Sequence, residues 1–455
     1  MTTTPKNVER VQARDGREGT PKRQVGWIVA GSLVVGLVLG LLLVAAPFID
    51  AEERDVTGAL LLGFAVGWLL LAVLSVRISD QPQRWAAAPA VFMGVGGLLL
   101  IVFGPTVHDV LDWVWPPALL ALVIWMFVSA HRHLRSRSRR WLLYPVFVVL
   151  VIASVGAGYE TVREAVDDRR YSMPGQLVDV GDHKLHVNCT GSGSPTVVLE
   201  PGAGEFSSVF GWIAPAVARD TRVCAYDRAG RGWSEPADRP QDAAQIAADL
   251  RSALRRANVP GPYVLAGHSF GGLYTLSFAA RYPDDVAGMV LVDSTAPKPP
   301  ATPRTAATSS DIVDRAAALL SSSARMGLGR LISNLDYGSL PPQSRDEVRA
   351  GGSTATSLRS AIDEYVQANA SMEEAHALTD FGDKPLVIMT ATVGNAAGWM
   401  ATQNQLATLS TNSAHRVVDG ATHASLVHDK GDAAETTRAI LDVVASLRSS
   451  EPVAN

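Results

Sequence analysis

Five long apolar runs fill the first third of this chain, and whatever it folds into must bury them. They are Val25 to Ile49, Val56 to Val76, Ala86 to Gly104, Val110 to Ala130 and Trp141 to Tyr159. Each is near the roughly 20 residues that an α-helix needs to cross about 30 Å of hydrocarbon. Lipid offers no partner to an open backbone N–H or C=O, so the runs are expected as helices. The first run is too long for a signal peptide, lacks a clear small-residue cleavage site and is followed by further spans. Pro116 and Pro117 interrupt the fourth run and predict a kink there. No acid or base lies in the middle of a span, which argues against an ion or proton pathway and for a membrane anchor.

Charge in the connections predicts the orientation. Lys6, Arg10, Arg14, Arg17, Lys22 and Arg23 precede the first span, Arg77 and Arg84 flank the second connection, and Arg132, Arg135, Arg137, Arg139 and Arg140 occupy the fourth. The intervening connections, Asp50 to Asp55 and His108 to Asp112, are acidic or almost free of Lys and Arg. Positive connections stay in the cytoplasm, so residues 1–24 are expected as a cytoplasmic tail. Five spans over residues 25–159 then place the rest of the chain on the extracytoplasmic side of the cell membrane. Trp27, Trp141, Tyr144 and Tyr159 fall near span ends, where amphipathic rings are favoured, and membrane lipids are expected partners.

After a linker at residues 160–175, the pattern changes to short apolar runs separated by turns and helix-compatible stretches. Gln176 to Val180 and Lys184 to Cys189 predict an edge hairpin turning at Gly181 and Asp182. Thr196 to Leu199, Arg222 to Tyr226, Tyr263 to Ala266, Met289 to Val292, Leu386 to Met389 and Arg416 to Val418 predict a mostly parallel sheet. The fold class is therefore all-α transmembrane followed by α/β with eight strands. Asp242 to Ala257, Phe270 to Arg281 and Asp432 to Leu447 are the covering helices. Residues 296–384 break the strand rhythm with helical patterns and are expected as a lid over the C-terminal sheet edge, between core segments 176–295 and 385–449. The net charge of −4 and the lack of a basic cluster beside aromatics argue against nucleic acid and leave small molecules as the expected substrates.

Gly267-His268-Ser269-Phe270-Gly271 matches G-x-S-x-G between a strand and a helix. Small flanking residues allow a strained turn that lifts the serine hydroxyl, and the helix N-terminus favours developing negative charge. A hydroxyl needs a base. His376 falls in the lid and His415 starts a strand; His423 follows a strand end among small residues, whereas His428 reads as an exposed loop histidine. An orienting acid should lie at the same sheet edge. Thr390 to Asn395 contains none, and Asp380 and Asp383 precede their strand, which leaves Asp293 by elimination; its other reading is a cap at the lid entrance. Oxyanion donors are expected at the backbone N–H of Phe270 and, in the loop Glu200 to Gly204, of Ala203. Glu200 itself reads as structural.

Gly267 to Gly272, the strand spacing and Ala421 to His423 resemble the α/β-hydrolase family over roughly Gln176 to Leu447, and Tyr226 to Ser234 looks like that family's turn after the fourth strand. The resemblance implies hydrolysis of an ester, lactone or amide through an acyl-enzyme, with no cofactor. A serine nucleophile argues against the dehalogenase and epoxide hydrolase branches, for which the resemblance implies aspartate. Two departures are plain: Pro201-Gly202 stands where His-Gly is usual, and the acid common after the seventh strand is missing. The five membrane runs lie outside the resemblance, although a branch of these hydrolases looks similar in carrying such an anchor. A non-catalytic membrane sensor and peroxidase-like or acyl-transfer chemistry are the competing readings. The family strand order also implies that Cys189 and Cys224 are near one another, so outside the cytoplasm they would form a disulfide; the alternative is two buried thiols. Two cysteines and scattered histidines give no metal-ligand spacing.

Overall fold

A computed structural model describes residues 24–79, 81–103, 105–134, 140–299 and 309–453. The basic residues before position 24 and at 135, 137 and 139 lie outside the described residues. Five apolar helices come first: α1 (Gln24–Val44), α2 (Glu53–Ile78), α3 (Ala87–Phe103), α4 (Pro105–His133) and α5 (Tyr144–Arg170). All five are long and apolar enough to cross a membrane.

The closest helix pair meets through glycine. A Cβ on Gly36 would lie 2.9 Å from the Gly67 Cα, and one on Gly63 would lie 2.2 Å from the Gly40 Cα. These residues form two G-x-x-x-G repeats facing each other across α1 and α2, the small-residue packing that lets backbones touch in lipid. Helix α4 runs unbroken through Pro116 and Pro117. Pro116 cannot donate to the Asp112 carbonyl one turn earlier; the Thr161 hydroxyl donates to it instead at 3.1 Å, and Ser154 donates to the Pro116 carbonyl at 2.7 Å. The expected linker is mostly helix, because α5 continues to Arg170. Glu160 and Asp167, two turns apart on one face, both pair with Arg330, which holds the extension in helical register.

The soluble part contains β1 (Gln176–Asp179), β2 (Lys184–Thr190), β3 (Thr196–Glu200), α6 (Ile213–Val217), β4 (Val223–Tyr226), α7 (Ala243–Arg256), β5 (Tyr263–His268), α8 (Phe270–Arg281) and β6 (Val286–Val292). The segment expected as a lid follows as α9 (Ser309–Ser322), α10 (Leu328–Ser333), α11 (Pro342–Gly351), α12 (Ala355–Val366) and α13 (Ala368–Ala375). The chain returns through β7 (Leu386–Val393), α14 (Trp399–Ala407), β8 (Ser413–Thr422), α15 (Ser425–His428) and α16 (Lys430–Ser449). The sheet order is β1-β2-β4-β3-β5-β6-β7-β8; β1 and β2 pair antiparallel and the strands from β4 onward run parallel.

Alternation along the central strands feeds two cores. Leu265, Met289 and Leu291 pack with Leu250 and Leu254 of α7 and Leu273 of α8, while Val264, Val290 and Val292 pack with Ile440 and Val443 of α16 on the other face. The antiparallel β2–β4 register sets Cys189 opposite Cys224, and the two form a disulfide. The bridge closes a loop of 35 residues, so the double Cys189→Ser, Cys224→Ser variant is expected to lose about 3–4 kcal/mol of stability. Denaturant unfolding with and without reductant checks this: the two proteins should coincide only when the wild type is reduced.

The lid rests on one end of the helix bundle. Arg325, between α9 and α10, pairs with Glu53 of α2 at 2.6 Å and Asp112 of α4 at 2.9 Å, and Arg330 of α10 pairs with Glu160 at 2.7 Å and Asp167 at 2.8 Å. The Arg315 guanidinium donates to the carbonyl of Val44 at the end of α1.

Candidate active site

At the end of β5 the backbone turns sharply: Ser269 has φ 55° and ψ −120°, outside the regions that side-chain-bearing residues prefer. Gly267, Gly271 and Gly272 around it must be glycine because the turn is compressed on every side. A Cβ on Gly267 would lie 2.4 Å from the Gly271 carbonyl oxygen, one on Gly271 would lie 2.3 Å from the Glu200 carbonyl oxygen, and one on Gly272 would lie 1.9 Å from the Ser294 hydroxyl. The turn is pinned by Ser269 N–H donating to Val292 O and Thr295 N–H donating to Ser269 O, each at 3.1 Å. Ser269 is half-buried at the N-terminus of α8.

His423 directly follows β8, which runs further than the expected Arg416 to Val418 and so delivers the imidazole to the sheet edge. Its Nδ1 donates to Asp293 Oδ2 at 2.6 Å. That bond leaves Nε2 as the basic nitrogen. His268, the residue before the serine, donates from Nε2 to the His423 carbonyl at 3.0 Å, and the two rings stand 4.7 Å apart. This links the base to the serine turn. Asp293, fully buried at the end of β6 with φ 46°, accepts through Oδ1 from the Trp399 indole at 2.6 Å and the Ala391 N–H at 3.3 Å. Three donors therefore fix the carboxylate. Trp399 was not anticipated from sequence, since it lies beyond the Thr390 to Asn395 segment in which an acid was sought.

The loop after β3 lies over Ser269: a Cβ on Gly202 would be 3.3 Å from the serine Cβ. In this loop the N–H of Gly202 donates to Glu205, that of Gly204 to Glu364 of the lid, and that of Glu205 to the Gly202 carbonyl. The Ala203 N–H has no partner among the described residues. Phe270, the first residue of α8, likewise has no preceding helical carbonyl to meet its N–H. Both expected donors, the N–H groups of Ala203 and Phe270, are therefore open toward the serine turn.

The loop is held from below by charge. Arg228, buried after β4, donates to Glu200, to Glu364 and to the carbonyls of Pro201 and Gly202 at 2.6–2.8 Å. Burial opposes the charge on Arg228, but the carboxylates of Glu364 and Glu200 outweigh it and raise its pKa. Glu200 also accepts from the Tyr226 hydroxyl, and burial pushes its carboxyl up to about 7. It supports the loop, as the sequence reading expected. Replacing Glu364 by alanine is expected to cost about 3 kcal/mol, the lower end for breaking a buried ion pair because Glu200 still holds Arg228; the midpoint of thermal unfolding would show the loss.

His428 is not an exposed loop histidine. It is buried, and its Nε2 donates to Glu205 Oε1 at 2.8 Å. Burial would raise the Glu205 pKa, yet hydrogen bonds from His268 and His428 outweigh it and hold the carboxyl well below the usual range. No cluster of three or more metal-ligating side chains occurs among the described residues.

The family model for the alpha/beta hydrolase fold matches residues 195–429 of this chain. An uncharacterised protein of Schizosaccharomyces pombe is 35% identical over 157 residues, 28% of this chain and 29% of its own length. The 2-(acetamidomethylene)succinate hydrolase of Mesorhizobium japonicum is 32% identical over 118 residues, 26% of this chain and 42% of its own length. This chain thus spans less than half the length of either relative. A thermophilic esterase from Thermogutta terrifontis superimposes with a TM-score of 0.45 at 19% identity, over 60% of this chain and 99% of that one.

Proposed function

Since this chain belongs to the alpha/beta-hydrolase family, we propose that it is a membrane-anchored serine hydrolase that cleaves an ester, lactone or amide of a small molecule. One observation carries the reading: the His423–Asp293 hydrogen bond of 2.6 Å sits at the sheet edge where Ser269 is raised on a left-handed turn.

In this mechanism His423 Nε2 takes the Ser269 proton as the hydroxyl oxygen attacks the substrate carbonyl carbon. Negative charge develops on the carbonyl oxygen, where the N–H groups of Ala203 and Phe270 meet it. The imidazolium formed on His423 is stabilised by Asp293 and passes its proton to the leaving group. Water then repeats the sequence on the acyl-enzyme, releasing the acid and restoring the serine. Glu200 and Arg228 keep the Ala203 loop in place without touching substrate.

The orientation reading places this site outside the cytoplasm. The alternation of five spans is supported by the lid contacts, because Val44, Glu53, Asp112 and Glu160 all belong to the helix ends that it assigns to one side.

A panel of short and medium acyl esters, matched with the corresponding amides and lactones, tests the function in detergent-solubilised full-length protein. Turnover of at least one class that disappears in the Ser269→Ala variant is the expected result. Folded protein inert toward the whole panel would favour a binding module, and product formed only with hydrogen peroxide or an acceptor alcohol would favour the peroxidase-like or acyl-transfer chemistry.

A further inference from the structure

Helix α10 and the residues after it carry an apolar stripe that faces away from the protein. Leu328, Leu331, Ile332 and Leu335 recur at helical spacing and are 41%, 62%, 57% and 83% exposed. On the opposite face Gly329, Arg330 and Ser333 are buried. The stripe is therefore not a failed core contact, since this short element already buries its other side.

The buried side is what positions the stripe. Arg330 is held by Glu160 and Asp167 of α5, and the backbone of the preceding turn lies directly on that helix: a Cβ on Gly156 would be 2.2 Å from the Met326 carbonyl oxygen. Helix α5 begins at Tyr144, which with Trp141 forms an aromatic end of the kind found at a membrane surface. At about 1.5 Å per residue, Gly156 lies roughly 18 Å along the axis from Tyr144 and Glu160 roughly 24 Å. The hydrocarbon is about 30 Å thick, so both levels fall short of its far boundary, whereas Asp167, the second partner of Arg330, lies roughly 35 Å along and sets Arg330 near that boundary. Beside the docked turn, α5 presents its own apolar side chains, Val155, Tyr159 and Val162, to the outside. The turn that leads into the stripe is thus docked on the part of α5 that carries these exposed side chains. Arg330 can sit there because two carboxylates surround its guanidinium.

We infer that the segment Met326–Leu335 is an interfacial element of the lid, seated among the acyl chains of the leaflet on the catalytic side, so that part of the lid is solvated by lipid. The inference rests on the reading of α1–α5 as membrane spans. The occupant is lipid because the exposed apolar stripe starts from a turn docked on a membrane span within about 30 Å of its aromatic end and faces away from the protein.

Nitroxide labels at single introduced cysteines, Leu331→Cys and Leu335→Cys, test this in full-length protein reconstituted into phosphatidylcholine–phosphatidylglycerol nanodiscs. Cys189 and Cys224 are bridged and do not compete for the label. Leu69→Cys, on the exposed face of α2, reports the spans, and Arg438→Cys, on the exposed face of α16, reports water. The expected result is a severalfold higher ratio of oxygen to nickel-chelate accessibility at 331 and 335 than at 438, approaching the ratio at 69. Water-like ratios at 331 and 335 with a lipid-like ratio at 69 would overturn the inference and leave the membrane reading intact. A water-like ratio at 69 as well would remove the membrane reading and the inference with it. The substituted side chains are all exposed, so failure to fold is not expected, and retention of the size-exclusion profile verifies it.

Discussion

The Ser269→Ala variant is expected to lose kcat by on the order of 10⁶-fold while keeping the fold of the wild type. The size of the effect follows from the role: without the hydroxyl there is no acyl-enzyme, and what survives is the polarisation of the carbonyl by Ala203 and Phe270. Alanine at position 269 inherits the positive φ of 55°, a conformation costing about 1–3 kcal/mol that the surrounding glycines and backbone hydrogen bonds already enforce in the wild type. Stability should therefore barely change. Rates with the best ester from the panel, set beside thermal unfolding midpoints, check both halves. A fall of tenfold or less in kcat would mean that another group performs the chemistry.

Asp293→Asn should lower kcat by about 10⁴-fold. The carboxylate accepts from His423 Nδ1, which fixes the tautomer with the proton on Nδ1 and the lone pair on Nε2. An amide can present its NH₂ to Nδ1 and reverse that tautomer, leaving no base toward Ser269. The Trp399 and Ala391 donors reinforce the loss, since they hold the acceptor oxygen of the side chain on their own side and turn the NH₂ toward the imidazole. Asp293→Glu is the companion variant: it keeps the charge but shifts it by one methylene and should recover part of the rate. Substitution of any exposed acid, such as Asp419, should do nothing comparable. This variant also separates the two sequence readings of Asp293, because a residue that only capped the lid entrance would change stability with little effect on the rate of the bound substrate.

The features legible in the sequence are those whose interactions are short in range. The eight strands, the turn at Ser269 and the position of His423 at the sheet edge were legible because each depends on local chemistry: apolar runs of strand length, glycine where the backbone is compressed, and a histidine placed just after a strand. Asp293 came out by elimination, and its strand position supplied the reason. Trp399 was hidden because an indole six residues beyond a strand gives no clue to the carboxylate on the neighbouring strand that it contacts. Arg228, Glu364 and Arg330 were hidden for the same reason. Their partners lie 136 and 170 positions away and belong to the lid or to α5, which no periodicity connects. The helical extension of α5 was read as a linker because its composition is polar, and polar residues form helix when a partner such as Arg330 organises one face.

The paired glycines of α1 and α2 make a related point. Each G-x-x-x-G repeat went unread as a sequence pattern, and their opposition across the helix pair explains them. In the same way, the disulfide became a statement about packing once the β2–β4 register placed Cys189 against Cys224.

Covalent labelling by a fluorophosphonate probe addresses the central claim most directly, because the probe phosphonylates a serine only when a base has activated it and an oxyanion site receives the new P–O⁻. Peptide mapping of labelled full-length protein should find the adduct on Ser269, with labelling lost in Ser269→Ala and slowed by several orders of magnitude in His423→Ala. Correctly folded wild-type protein that takes up no label, or takes it up on another serine, would contradict the account.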